Sequence, residues 1–131
     1  MSLNELPVSM TILAAEDNPI NLSLLRMMLK NPGISTDFVN HGAEALKMAE
    51  TKTYDLILMD MQMPVMDGLE ATRQIRKLPG YSQVPVIALT ANILEEQKQA
   101  CFKAGMTDFI SKPVKKRDIV TMIKKFSKIE A

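Results

Sequence analysis

Five short runs along the chain are dense in aliphatic and β-branched residues: Thr11–Ala15, Thr36–Val39, Asp55–Met59, Val86–Leu89 and Asp108–Ile110. Several are apolar at consecutive rather than alternate positions, as strands are when helices cover both faces of a parallel sheet. Five segments of helical character separate and follow them. The first opens at Asn18-Pro19, a capping residue followed by proline at the first helical position. It carries Ile20, Leu24 and Met28 four apart and stops at Asn31-Pro32-Gly33. The second spans about 42–50, with Ala45, Leu46 and Ala49 turned inward, and the third about 69–77, ended by Pro79-Gly80. The fourth, about 94–104, is mostly polar and ends at Gly105, a residue suited to closing a helix. Its thin apolar face predicts a weakly held element. The fifth, about 115–126, places Ile119, Met122, Ile123 and Phe126 on one face with lysines opposite. Five consecutive strand–helix units predict a doubly wound α/β domain of five parallel strands and five helices. Right-handed crossovers and two-sided coverage set the strand order 2-1-3-4-5, the flavodoxin-like arrangement.

Composition changes little in this picture. A chain of 131 residues fits one domain whose core needs no disulfide. Residues 1–9 are set aside as an N-terminal extension or linker, leaving 10–131 as the domain. A net charge of +1 gives no case for direct binding to nucleic acid or to an anionic membrane. No apolar run approaches the roughly 20 residues of a membrane span, and the N-terminus lacks a signal-peptide pattern. The one cysteine, Cys101, excludes an internal disulfide and suits a reducing, cytoplasmic setting. Most of the 11 methionines fall at helix or strand positions and read as core filler.

Candidate chemistry gathers at one place. In an open parallel sheet, ligands bind beyond the carboxyl ends of the strands, near the switch point between the first and third. Glu16-Asp17 follow the first strand, Asp60 ends the third, Thr90 follows the fourth, and Ser111-Lys112-Pro113 follow the fifth. Crowded carboxylates repel and raise one another's pKa, and a hard divalent cation such as Mg²⁺ relieves this. His41 and Cys101 lie on different elements and make no zinc cluster. Carboxylates with a hydroxyl and an ammonium suit phosphoryl chemistry: the cation and lysine neutralise the equatorial oxygens while an exposed carboxylate attacks phosphorus. Taken singly, each residue has an ordinary reading: Asp17 as a helix cap, Asp60 and Thr90 as turn residues, Lys112 as a solvated charge. Their joint placement at one sheet edge favours the chemical reading. Neither G-x-G-x-x-G nor G-x-x-x-x-G-K-[ST] occurs, which argues against a nucleotide-binding Rossmann or P-loop domain.

Four stretches occur in order: Glu16-Asp17-Asn18, LILMDMQMPVMDG around Asp60, ALTAN (Ala88–Asn92) and AGMTDFISKPV (Ala104–Val114). Together they resemble the receiver domains of two-component response regulators, over about residues 10–129. The wording EDNPIN and LMDMQMPVMDG is most similar to receivers of hybrid sensor histidine kinases. The resemblance implies that Asp60 is the phospho-acceptor. It implies that Asp17 and Asp60 bind Mg²⁺ (or Mn²⁺) directly, with Glu16 acting through water and Gln62 lending its backbone carbonyl. Lys112 would contact the phosphoryl group, beside a cis Lys112-Pro113 peptide. Thr90 would be the switch hydroxyl and Phe109 the aromatic switch residue, while Gln62 and Asn92 would tune phosphoryl lifetime.

The implied function is that of a phosphorelay signalling domain, not an enzyme with a separate substrate. It would take a phosphoryl group from a histidine kinase or histidine phosphotransfer domain and reshape the face of the fourth helix, fifth strand and fifth helix. Such a partner would dock near the first helix and the Lys112–Val114 loop through Ile20, Leu24 and Pro113, unless Ile20 and Leu24 serve the core. The resemblance implies a cytoplasmic domain, alone or within a membrane-attached hybrid kinase, with room for a weak homodimer. Two departures stand out. Glu16 replaces the commoner Asp, and Phe109 replaces a frequent Tyr, so a phenol hydroxyl is missing. The enzymatic rival, a phosphohydrolase with an Asp nucleophile, commonly needs a second acid where this chain has Gln62. A flavin-binding domain of the same topology would need a hydroxyl-rich phosphate loop where EDNPIN stands.

Overall fold

The consecutive apolar runs form the middle of a parallel sheet, and their abrupt polar ends line up along one edge. In the computed structural model, which describes residues 6–63, 65–91 and 94–127, the strands are β1 (Met10–Ala15), β2 (Ile34–Val39), β3 (Leu56–Asp60), β4 (Val86–Thr90) and β5 (Asp108–Ser111). The helices are α1 (Pro19–Met28), α2 (Gly42–Thr51), α3 (Gly68–Arg76), α4 (Glu95–Ala104) and α5 (Lys116–Phe126). Every paired strand runs parallel, in the order β2-β1-β3-β4-β5, as the sequence predicts. Boundaries shift by a residue or two: β2 starts at Ile34, and Asp60 and Thr90 belong to their strands.

Every residue of β3 and β4 is buried, because side chains alternate between two covered faces. Leu13, Ile57, Met59, Val86 and Ala88 pack with Ala45, Ala49, Ala71, Ile75 and Cys101 from α2, α3 and α4. Ile12, Leu56, Leu58, Ile87 and Leu89 pack on the other face with Leu25 of α1, Leu29 at its C-cap, and Ile119 and Ile123 of α5. Among the described residues no helix is long and apolar enough to cross a membrane.

Helix α1 decides between the two readings of Ile20 and Leu24. Ile20 and Leu24 are 72% and 44% exposed, whereas Leu25 and Leu29 are 2% and 3% exposed. The sequence PINLSLLRMM is apolar nearly all round, so spacing alone cannot say which stripe meets the sheet. The core alternative for Ile20 and Leu24 is thereby removed. Of the inward residues expected on α2, Ala45 and Ala49 are buried and Leu46 is partly so. The segment before β1 also touches the domain: the Leu6 N–H donates to Asn31 Oδ1 (2.7 Å), Asn31 Nδ2 donates to the Leu6 carbonyl (3.1 Å), and Val8 is buried.

Candidate functional site

Strand register sets the site. Ala15 pairs with Met59, Asp60 with Leu89, and Thr90 with Ser111. The residues at or just past these positions, Glu16, Asp17, Asp60, Thr90 and Lys112, all line one cleft of about 710 Å³. Its rim is built by helix N-termini, where side chains satisfy the free backbone donors. Asn18 Oδ1 accepts from the Ile20 and Asn21 N–H groups (2.9 and 3.2 Å), and Asp67 Oδ1 accepts from the Glu70 N–H (2.9 Å). Asn18 therefore caps α1, and the cap reading of Asp17 falls away. The loop after β3 closes tightly on the site: a Cβ on Gly68 would stand 2.2 Å from the Asp60 carbonyl oxygen.

Asp60 is 2% exposed. Its Oδ1 lies 3.1 Å from Lys112 Nζ and accepts from the Gln62 N–H (3.2 Å). Its Oδ2 is buried and accepts no hydrogen bond from the described residues. Glu16, 1% exposed, has both oxygens engaged: Oε1 lies 3.1 Å from Lys112 Nζ, and Oε2 accepts from the Asn18 N–H (3.2 Å). The longer side chain of Glu16 thus reaches the lysine and folds back onto its own turn. Burial is the main force pushing the Asp60 carboxyl above the usual range, with the Glu16 carboxylate adding to it. Burial works to lower the Lys112 ammonium, but hydrogen bonds and charges from Asp60 and Glu16 outweigh it and hold the group above its usual value.

One oxygen each from Glu16, Asp17 and Asp60 lies within 4.8 Å of the others. Asp17 is exposed at the mouth. All-oxygen donors, one of them a buried and unpartnered Oδ2, fit a hard divalent cation such as Mg²⁺ or Mn²⁺. Thr90 is 5% exposed. Gln62 is exposed and lines the cleft, while Asn92 lies outside the described residues. Phe109 is half-buried on β5 and does not line the cleft; Lys98 Nζ of α4 sits 5.1 Å above its ring. The Lys112-Pro113 peptide is cis. Pro113, Ile20 and Leu24 are all exposed. Below the cleft, Cys101 Sγ contacts Met61 Sδ at 3.4 Å.

Sequence reasoning missed two amides on the cleft wall, Asn21 and Gln97. Asn21 stands one turn beyond Asn18 and so faces the same way, a signal the sequence does contain. Gln97 becomes recognisable only once α4 is docked.

The response regulator receiver domain family model matches residues 12–124. Hybrid signal transduction histidine kinase L of Dictyostelium discoideum is 43% identical over 123 residues, covering 89% of this chain and 7% of that protein. Signal transduction histidine-protein kinase BarA of Escherichia coli strain K12 is 37% identical over 123 residues, covering 94% and 13%. The chain spans from 6% to 15% of the length of such curated relatives. The receiver domain of sensor histidine kinase PA1611 from Pseudomonas aeruginosa, solved with a magnesium ion in its active-site cleft, superimposes with a TM-score of 0.84 at 40% identity, covering 90% of this chain and 97% of that one. Chemotaxis protein CheY4 of Vibrio cholerae matches with a TM-score of 0.85 at 26% identity, covering 90% and 98%. The doubly wound sheet, the carboxylates at its switch point and these matches converge: the chain belongs to the response regulator receiver domain family of two-component signalling.

Proposed function

We propose that the domain takes a phosphoryl group onto Asp60 from a phosphohistidine on a histidine kinase or histidine phosphotransfer domain, and returns it to water. The observation that carries this reading is the division of labour within Asp60: Oδ1 is held by Lys112 and the Gln62 N–H, while Oδ2 is buried and has no hydrogen-bond partner among the described residues. A buried carboxylate oxygen with no donor is a costly thing to keep, and it is what a nucleophile or metal ligand requires.

Asp17 and Asp60 are the groups proposed to hold Mg²⁺, with Glu16 acting through water and the Gln62 carbonyl assisting. When bound, the cation neutralises charge on the transferring oxygens. An Asp60 carboxylate oxygen attacks phosphorus in line with the departing imidazole nitrogen. The P–N bond breaks, the imidazole leaves as a neutral ring after taking up a proton, and an aspartyl phosphate remains. Lys112, already 3.1 Å from Asp60 Oδ1, places its ammonium against the developing charge. The Thr90 hydroxyl then bonds a phosphoryl oxygen, and Phe109 turns into the space released. The face of α4, β5 and α5 changes shape because the two states make different contacts. Later, water attacks the acyl phosphate, Asp60 returns as carboxylate and inorganic phosphate leaves. Gln62 and Asn92 tune that last step.

The partner would dock over α1 and the Lys112–Val114 loop. Ile20, Leu24 and Pro113 supply an exposed apolar rim there, in keeping with a site that must admit a bulky phosphohistidine. The setting proposed is cytoplasmic, within a hybrid kinase.

Incubation with Mg²⁺ and acetyl phosphate tests the reaction. Intact mass should show one phosphate adduct, labile to hydroxylamine and lost in Asp60→Asn. A wild-type protein left unmodified by acetyl phosphate and by its phosphohistidine donor would refute the reading. Turnover of phosphate esters without an adduct on Asp60 would point to a hydrolase instead.

A further inference from the structure

The C-terminal end of helix α4 is fastened by Arg76 at the end of α3. A guanidinium offers five N–H donors in a rigid fork. Here Nε and Nη2 donate to the Gly105 carbonyl (2.9 and 2.7 Å), Nη2 also reaches Thr107 Oγ1 (3.3 Å), and Nη1 donates to the Tyr81 and Val84 carbonyls (2.7 and 2.6 Å). No carboxylate of the described residues takes part. The fork ties α3 and the loop before β4 to the residue that ends α4. Gly105 has φ 103°, and the N–H groups of Gly105 and Met106 donate to the Phe102 and Cys101 carbonyls (3.1 and 3.0 Å), closing the helix. Cys101, Ala104 and Met106 are buried beside it.

The other half of α4 is different. Glu95, Glu96 and Gln99 are exposed, Gln97 lines the cleft, and Lys98 rests on Phe109. No residue before Cys101 on this helix is buried. We infer that Arg76 is a positioning residue: it pins the C-terminal end of α4 as a pivot, so that the N-terminal half moves when Asp60 is modified. Such a swing carries Gln97 relative to the cleft and slides Lys98 across Phe109. Ten residues of helix span about 15 Å, so a tilt of roughly 10° at the pivot moves the far end by about 2–3 Å. The direction of signalling rests on the phospho-acceptor reading; the pivot does not.

Hydrogen exchange along α4 separates the two. In the free wild type, the amides of 98–100 should exchange at least tenfold faster than those of 104–106. Arg76→Lys keeps the charge but not the fork, and should bring the two sets within about threefold. With Mg²⁺ and beryllofluoride, which mimics the aspartyl phosphate, the wild-type change should be confined to 95–100, and in Arg76→Lys it should spread to 101–106. A flat profile in the free wild type overturns the pivot, even where the variant does not fold. So does a variant with the wild-type gradient. Beryllofluoride that alters nothing around Asp60 strikes the phospho-acceptor reading, while the gradient still decides the pivot.

Discussion

At the scale of single residues, Asp60 sits where its own charge is unwelcome. Burial first and then Glu16 push its carboxyl up, and Lys112 offsets this only in part. The ionised form therefore costs folding energy at neutral pH, and that cost is lost as the pH drops through the raised folded value toward the unfolded value of about 4. Asp60→Asn should thus melt higher than the wild type in Mg²⁺-free buffer, by about 4 °C for each kcal/mol gained. Added Mg²⁺ should raise the wild-type midpoint by mass action and leave the variant unmoved. Thermal melts with and without the metal check both, and a variant that melts lower without metal would count against the charge argument. The identities of these residues were legible in the sequence because each stands where an apolar run stops. The contact between Glu16 and Lys112 was not. It depends on one extra methylene and a rotamer that brings Oε1 to the ammonium and Oε2 to the Asn18 N–H, and neither leaves a trace in residue spacing.

Among elements, strands were easier to read than helix orientation. The β3 and β4 sequences are apolar throughout, and both faces of these strands are covered, so no choice of face had to be made. In α1 a choice was needed, and the spacing of Ile20, Leu24 and Met28 left it open: Ile20 and Leu24 are exposed, while Met28 packs partly against the core. The crossover geometry decides instead that Leu25 and Leu29 meet the sheet. Leu25→Ala should cost about 2–5 kcal/mol in denaturant unfolding, whereas Ile20→Ala should stay within about 0.5 kcal/mol while slowing transfer from a phosphohistidine donor and sparing acetyl phosphate. The polar surface of α4, read from sequence as a sign of weak attachment, holds for its first half alone. Its end depends on Gly105, which a left-handed φ reserves for glycine. Gly105→Ala should cost about 1–2 kcal/mol in the same unfolding measurement.

Across the whole molecule, two carboxylates bend the pH dependence of stability in opposite directions. Away from the cleft, Asp37 on β2 accepts from Lys52 Nζ (2.8 Å) and from the buried Tyr54 hydroxyl (2.7 Å), linking β2 to the end of α2 and the start of β3. The Lys52 hydrogen bond, then Tyr54, holds the Asp37 carboxyl below its usual range. A depressed carboxylate contributes stability above its unfolded value of about 4 and loses it as pH falls through the lower folded value. Asp37→Asn should therefore cost about 1 kcal/mol at pH 7 and flatten the acid limb of the curve, as urea midpoints from pH 7 to pH 3 would show. An acid limb as steep as the wild type's would remove Asp37 as its cause. The single thiol bears on how such motions are watched. Cys101 is 1% exposed against Met61, and burial pushes its pKa up, so it offers little thiolate to a maleimide at neutral pH. The native chain is in effect a thiol-silent background. A cysteine introduced on its surface will take a fluorophore or spin label selectively, without replacement of Cys101.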